Sequence, residues 1–427
     1  MDFFTVLKLS GYPVSEAIKR YQEILNAQSE GYQNKQKWQI FNDQIRINPF
    51  YRDFVGVDIQ GNWERIPIIQ KSHLMGAYQD KISPEIIRNG LYVSRTSGST
   101  GTPMLFARQN HFHVMVWLAA NRLYSQFGFD VNSYQARFYG IPLSGFNFYR
   151  EKLKDLMAKR YRFVVYDLGD KVLKKWVDVF NRKRFEVIYG YTNSILQFSN
   201  YLKEKGLVLS TFCPSLKACV VTSEMCSGEE QAQLHATFGV PVYNEYGASE
   251  VCVIGFRDKN VWKVADEMVY LEVVDDNGAV LQDGEAGRLL VTLLHNNATP
   301  IIRYEIGDLA TIKREGEHTI ITSLQGRMND TGLLPSGKRV PGLTFYYAVH
   351  EAIGKDIRIK EHQVVQKDTL SFQVNVCLNG DLSSNQIKAI KSAFNLYLEE
   401  GLKIEVKQVK SIERTAKGKF KHFISEI

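Results

Sequence analysis

FEVIYGYTNSILQFSNYLKEKG, Phe185 to Gly206, carries the reading of the fold. It opens on a short apolar run, FEVIYGY, rich in β-branched and aromatic residues. A helical stretch follows, NSILQFSNYLKEKG, closed by a glycine. A second apolar run comes next, SLKACVVTSE (Ser215–Glu224), and then a third, VPVYNEYG (Val240–Gly247). Upstream, ARFYGIPL (Ala136–Leu143) and RFVVYDL (Arg162–Leu168) precede another helical stretch, KVLKKWVDVFNR. Strand, helix and strand at this rhythm predict an α/β fold with parallel strands from about Tyr92 to Asp308. Ligands of such sheets sit at the C-terminal ends of the strands. That makes Thr222, Ser223 and Glu224, and the segment Tyr243 to Glu250, candidate site residues.

Outward from this centre the texture changes. The first 50 residues read as helical, with Ala17, Ile18, Tyr21, Ile24 and Leu25 at helical spacing. From Val269 to Ile321 the chain reads as antiparallel β, with a turn signal at Asp276-Asn277-Gly278. After Gly326 it changes again. TLSFQVNVCL puts Leu370, Phe372, Val374, Val376 and Leu378 on one face. Ile387, Ile390, Phe394 and Leu398 form a helical stripe with Ser383 or Ser384 as N-cap. The expected organisation is a large N-terminal α/β domain, residues 1–325, with mixed sheets and a β subdomain. A small mobile α+β domain, residues 326–427, follows it.

The chain has 427 residues, 44% hydrophobic and 23% charged, ample for a buried core. Lys and Arg number 53 against 46 acids, a net charge of +7 spread along the chain. A diffuse excess of this size is a weak argument for nucleic acid, and none is expected as a partner; it suits an enzyme that handles anionic nucleotides. The five cysteines form no C-x-x-C pair, which fits a reducing compartment. No window approaches the length needed to cross a bilayer, so a cytoplasmic protein without membrane insertion is expected.

Five polar features stand in order along the chain. YVSRTSGSTGTPMLFARQ (Tyr92–Gln109) holds a Gly/Ser/Thr cluster between two apolar runs. Ser97, Gly98, Ser99, Thr100, Gly101 and Thr102 permit close backbone approach and offer donors to phosphate oxygens. The same composition builds ordinary turns, and no Walker A lysine follows. YNEYGASE (Tyr243–Glu250) sets an aromatic, Tyr246, four residues before a carboxylate, Glu250, across Gly247 and Ser249. A carboxylate near phosphates can hold Mg²⁺, and a tyrosine face can stack on a base. IIRYEIGDL places Asp308 on a turn, where it can accept from two ribose hydroxyls. QGRMND carries Arg327 at the domain junction, and ERTAKGKFKH carries Lys417 and Lys419 in a glycine-containing loop. Each of these charges read singly is equally an exposed surface group.

In this order the five resemble the adenylate-forming superfamily of acyl-CoA synthetases and adenylation domains. The nearer likeness is to its phenylacetate–CoA ligase-like branch, including proteins of capsular polysaccharide biosynthesis. NPFYRDF, RIPIIQKSHL, IYGYTNSI and LKACVVTSEM add to it. The resemblance implies an ATP-dependent, AMP-forming ligase that adenylates a small carboxylic acid, then passes the acyl group to CoA or another acceptor. It implies that Ser97 to Thr102 hold the β- and γ-phosphates, and that Tyr246, Ser223 and Glu224 flank the adenine. It assigns Mg²⁺ to Glu250, ribose to Asp308, ribose or phosphate to Arg327, and the bridging cation of the first half-reaction to Lys419. It puts the hinge of the small domain at Asn329.

The chain departs from that pattern in places. Thr102 stands where relatives carry a basic residue, with Arg95 or Arg108 as substitutes. The post-hinge segment TGLLPSGKRVPG matches the thiol-tunnel segment loosely, which weakens the case for CoA. An amine or a sugar in surface-polysaccharide assembly is then the alternative acceptor, and a non-catalytic nucleotide-binding relative the alternative protein. Tyr139, Tyr189, Tyr191 and Tyr243, with Asn244, lie near strand ends and read either as an acid pocket or as core. His111 and His113 read as exposed residues of one helix.

Overall fold

The computed structural model describes residues 2–427 apart from 57, 97–102, 141–145, 259–260, 328–330, 354–355, 357 and 415–419. The side chains of a few others, Arg327 among them, are also outside the described set.

One eleven-stranded sheet organises the chain to Arg327. Its parallel half runs in space as Arg160–Phe163, Gln135–Phe138, Val187–Tyr191, Ala218–Thr222 and Val242–Ala248. These are the apolar runs of the sequence, and Val187–Tyr191 and Ala218–Thr222 are buried along their whole length. Burial on both faces explains why they read as continuous rather than alternating hydrophobics. Val242–Ala248 then pairs antiparallel with Cys252–Asp258 on its other side. Beyond it come Val261–Val264, His318–Arg327, Tyr304–Glu315, Ala286–Leu293 and Val269–Val274, all antiparallel. Val242–Ala248 is therefore the seam between the two halves.

Two glycines are required by close approach. A Cβ on Gly190 would sit 2.5 Å from the Phe138 carbonyl oxygen of the neighbouring strand. A Cβ on Gly247 would collide with the Cys252 carbonyl, at the register shift between Tyr246 and Gly247.

Helix Asn110–Ser125 lies over one face of the sheet, and its neighbour is the N-terminal helix Val14–Asn26. His113 is buried on that helix, stacked on Tyr92 with ring centroids 3.8 Å apart. This corrects the expectation of an exposed pair. Burial, with Arg108 nearby, pushes its imidazole down to about 3.

A separate four-stranded sheet, in the order Lys403–Gln408, Ser371–Leu378, Ile359–Gln366, Phe423–Ser425, carries the C-terminal residues. Its strand Ser371–Leu378 buries Phe372, Val374, Val376 and Leu378 as the alternation requires. Ser383 caps helix Ser384–Tyr397 through a reciprocal bond pattern with Gln386. Among the described residues, no helix is long and apolar enough to cross a membrane.

Candidate active site

A cavity of about 910 Å³ opens at the C-terminal ends of the parallel strands and runs across the seam. It is walled by both halves of the large sheet, by helix Asn110–Ser125, and by Phe420 to Phe423 from the small sheet. Of the candidates read from sequence, Tyr139, Tyr189, Ser223, Glu224, Asn244, Tyr246, Gly247, Ser249, Glu250 and Asp308 all line it.

At the antiparallel end the polar groups answer one another. The Tyr246 hydroxyl donates to Asp308 Oδ2 at 2.6 Å, joining two motifs 62 residues apart. The Tyr246 ring meets Trp262 edge-on, with centroids 5.9 Å apart. Asp308 faces Arg327 across the strand pair Tyr304–Glu315 and His318–Arg327. The Tyr304 hydroxyl donates to Glu250 Oε1 at 3.1 Å. Arg288 pairs with Glu305 at 2.8 Å on the same wall.

Arg108 is buried beside these groups, and its Nη2 donates to the Ser249 carbonyl at 2.5 Å. Its Nε has no hydrogen-bond partner among the described residues. Burial lowers the guanidinium's pKa, and Cys252, Tyr92 and Glu250 raise it. Of the two cations considered as substitutes at Thr102, Arg108 is on the cavity wall and Arg95 is exposed on the hairpin Leu91–Arg95/Leu105–Gln109. Ser97 to Thr102 lie outside the described residues. Thr96 and Met104, on either side, are bonded by Thr96 N–H to Met104 O at 2.9 Å and Met104 N–H to Thr96 Oγ1 at 3.0 Å.

Glu224 performs a task that its sequence context did not indicate. Its Oε2 accepts from the Asn193 N–H and its Oε1 from the Phe420 N–H, both at 2.8 Å. It thereby ties the segment after the basic loop to the large sheet. The preceding Ser223 adopts a left-handed φ of +71°. Around this clasp, Arg414 bonds Asn193 at 2.8 Å and Glu361 at 3.0 Å, Tyr346 donates to Glu230 at 2.6 Å, and Gln197 donates to the Lys360 carbonyl at 2.7 Å. Lys419 and Asn329 lie outside the described residues; Phe420, next in sequence to Lys419, lines the cavity.

At the parallel end a carboxylate is enclosed. Glu245 is buried and accepts from the Tyr124 and Tyr189 hydroxyls, one on each oxygen. Burial raises its pKa, opposed by the two phenols and by Arg137. Tyr139 stacks with Tyr189 at 5.9 Å and meets Tyr191 edge-on at 4.5 Å. Tyr191 and Tyr243 are not on the wall. Tyr243 packs against Phe127 and Phe256 at 4.3 and 5.6 Å, and Tyr191 is buried behind Tyr139. Sequence reading missed Tyr124 and Arg137, and took in Glu245 only as part of the segment Tyr243 to Glu250, with no role of its own. The available signal was a glutamate inside an apolar strand, in NEYG.

Residues 336–426 match the family described as the CapK C-terminal domain. The chain is 24% identical over 217 residues to an indoleacetate–lysine synthetase of Pseudomonas savastanoi, covering 50% of this chain and 51% of that protein. It is 25% identical over 306 residues to a phenylacetate–coenzyme A ligase of Thermus thermophilus, covering 66% of each. The chain thus spans about half to two thirds of these relatives' length. The crystal structure of 2-hydroxyisobutyryl-CoA ligase in its postadenylation state, with R3-HIB-AMP, superposes with a TM-score of 0.71 at 15% identity, over 91% of this chain and 88% of that one.

Proposed function

We propose, from the premise that the chain belongs to the adenylate-forming superfamily, that it is an AMP-forming acid ligase. One observation supports this most: a single cavity gathers Glu224, Tyr246, Glu250, Asp308 and Phe420 from segments far apart in sequence. In this reading ATP occupies the antiparallel end. Asp308 exchanges its Tyr246 partner for ribose hydroxyls, and the Tyr246 ring flanks the base. Arg108 supplies positive charge near the phosphates, in place of the cation missing at Thr102, and Ser97 to Thr102 donate to the β- and γ-phosphates. Arg327 contacts ribose or phosphate.

The acid's carboxylate oxygen attacks the α-phosphorus. The bond from that phosphorus to the bridging β-phosphate oxygen breaks, and pyrophosphate leaves with its electron pair. Lys419 holds the two reacting anions together, where negative charge concentrates in the transition state. Glu250 suits Mg²⁺: Oε1 accepts a hydrogen bond from the Tyr304 hydroxyl while Oε2 has no described hydrogen bond. No group of three or more His, Cys, Asp or Glu stands ready as a cage among the described residues, and a lone carboxylate fits an ion held mainly by phosphates and water. That ion would neutralise charge on the departing pyrophosphate.

In the second half-reaction a nucleophile attacks the acyl carbon and AMP departs. Residues 326–427 move as a unit about Asn329 between the two halves, and docking of Phe420 on Glu224 excludes water from the adenylate. The acceptor is CoA or an amine; the likeness to a CoA ligase supports the first, that to an amide-forming synthetase the second. An amino sugar of surface polysaccharide falls in the amine class.

ATP–pyrophosphate exchange over a panel of acids tests the reading. Exchange that requires one acid and Mg²⁺ is expected, and AMP release on adding CoA or an amine then identifies the acceptor. Absence of exchange with every acid, in a protein that binds ATP, would establish a non-catalytic nucleotide binder instead.

A further inference from the structure

We infer that the acid activated here carries a second carboxylate, received by Arg137 at the parallel-strand end of the cavity. The inference rests on the ligase reading above and specifies its substrate class.

The place is set by topology. From Gln135–Phe138 the chain winds outward to the edge strand Arg160–Phe163, then returns to the other side of Gln135–Phe138 with Val187–Tyr191. The crevice where winding reverses in a parallel sheet is where ligands bind. Arg137 and Tyr189 are register partners at that crevice, and both are on the cavity wall.

Hydrogen-bond donors there outnumber their described partners. Arg137 lies with its guanidinium carbon 4.1 Å from the Tyr189 ring centroid. Among the described residues its one hydrogen bond runs from Nε to Gln135 Oε1, at 2.7 Å. The N–H groups on its two terminal nitrogens have no acceptor among them, and no ion pair joins it to Glu245. Glu245 is the carboxylate in reach, but both its oxygens are taken by the phenols of Tyr124 and Tyr189. A second guanidinium, Arg160, stands 5.3 Å from the ring centroid of Trp117, itself a wall residue, with Nε and Nη2 buried and unbonded among the described residues.

A neutral acyl chain filling this end would strip water from Arg137 and return no partner. An amino group would meet Arg137's charge, and the nearest carboxylate, Glu245, already accepts two phenolic hydrogen bonds. A carboxylate fits the guanidinium fork with two parallel hydrogen bonds. The ring of Tyr139 beside Tyr189 suits a compact spacer between the two carboxylates.

The test is ATP–pyrophosphate exchange with matched sets: aliphatic and aromatic dicarboxylic acids, their monomethyl esters, and amino acids of the same length. Wild type is expected to use one dicarboxylate about 10²-fold better in kcat/KM than its ester, the gap a lost charge-assisted pair produces. Arg137→Gln should remove that advantage, mainly through KM, and Arg137→Lys should restore part of it, with thermal unfolding confirming that both variants fold. A wild type that uses the ester or the amino acid as well as the dicarboxylate overturns the inference and leaves the ligase reading intact. So does a folded Arg137→Gln with unchanged selectivity. Should neither variant fold, the wild-type ratio decides alone. No exchange with any acid overturns both.

Discussion

The two ends of the cavity are built on opposite principles. At the antiparallel end polar groups are paired across the wall: Tyr246 with Asp308, Tyr304 with Glu250, Arg288 with Glu305. Each such bond can be exchanged for one to a ligand, and the buried Arg108 Nε beside them has no partner among the described residues. At the parallel end Glu245 is locked by two phenols, while Arg137 keeps donors to spare. The first arrangement suits a ligand common to many enzymes, the second a ligand particular to this one. Selectivity arises where a site carries a need that only the right partner meets.

The largest expected effect is on the chemical step. Lys419→Ala should lower pyrophosphate exchange by about 10²–10³-fold, the range for removing one preorganised electrostatic donor. ATP affinity, measured by titration calorimetry, should stay near wild type. Equal exchange in that variant would remove Lys419 from the chemistry.

Asp308→Ala should act on one end alone. It removes an acceptor from bound nucleotide, weakening ATP binding by roughly 10–100-fold for a charge-assisted bond. The ranking of acids should not change. A shifted ranking would mean that the two ends are coupled, and the comparison above would fail.

Glu224→Ala releases both the Asn193 and the Phe420 N–H groups. Exchange should drop by about tenfold, as two modest hydrogen bonds are lost. Limited proteolysis after Arg414 should quicken, while ATP binding holds. Unchanged proteolysis would show that other contacts dock the small sheet.

The smallest effect is a slope with pH. His362 is buried and His422 half-buried beside Tyr346, at ring distances of 4.7 and 4.3 Å. Burial first, then His350 and, for His422, also His362 and Arg414, push both imidazoles down to about 3 from an ordinary 6.5. The unfolded chain takes up protons at these sites near pH 6.5 and the folded one does not. The stability they lend is whole above that pH and is lost progressively as pH falls from 6.5 toward 3. Buried carboxylates with raised pKa, Glu245, Glu272 and Glu361, act with the opposite sign. Comparison with His362→Gln isolates the imidazole share: the variant's unfolding midpoint should fall less between pH 7 and pH 5. A parallel fall in both proteins would refute it.

What could be read along the chain was local in physical origin. Short apolar runs declare strands here because the central strands of a parallel sheet are buried on both faces. FEVIYGY, SLKACVVTSE and VPVYNEYG became Val187–Tyr191, Ala218–Thr222 and Val242–Ala248 on that ground. Ser383 with Gln386 declared a helix start because capping is a bond between neighbours. Tyr246, Glu250 and Asp308 were visible as motifs, each a polar residue set against an apolar run.

Pairing across the chain was beyond that reach. Tyr124 meets Glu245 across 121 positions and Tyr189 meets it across 56. Tyr139 and Tyr189 turned to the cavity while Tyr191 and Tyr243 turned to the core, though all four look alike in sequence. His113 went inward because Tyr92 offered a ring to stack on. Composition and periodicity determined that there would be a parallel sheet, an antiparallel extension and a small C-terminal unit. Which carboxylate holds two phenols and which guanidinium keeps unpaired donors depends on distances between strands and helices, and only the packed tertiary structure decided those.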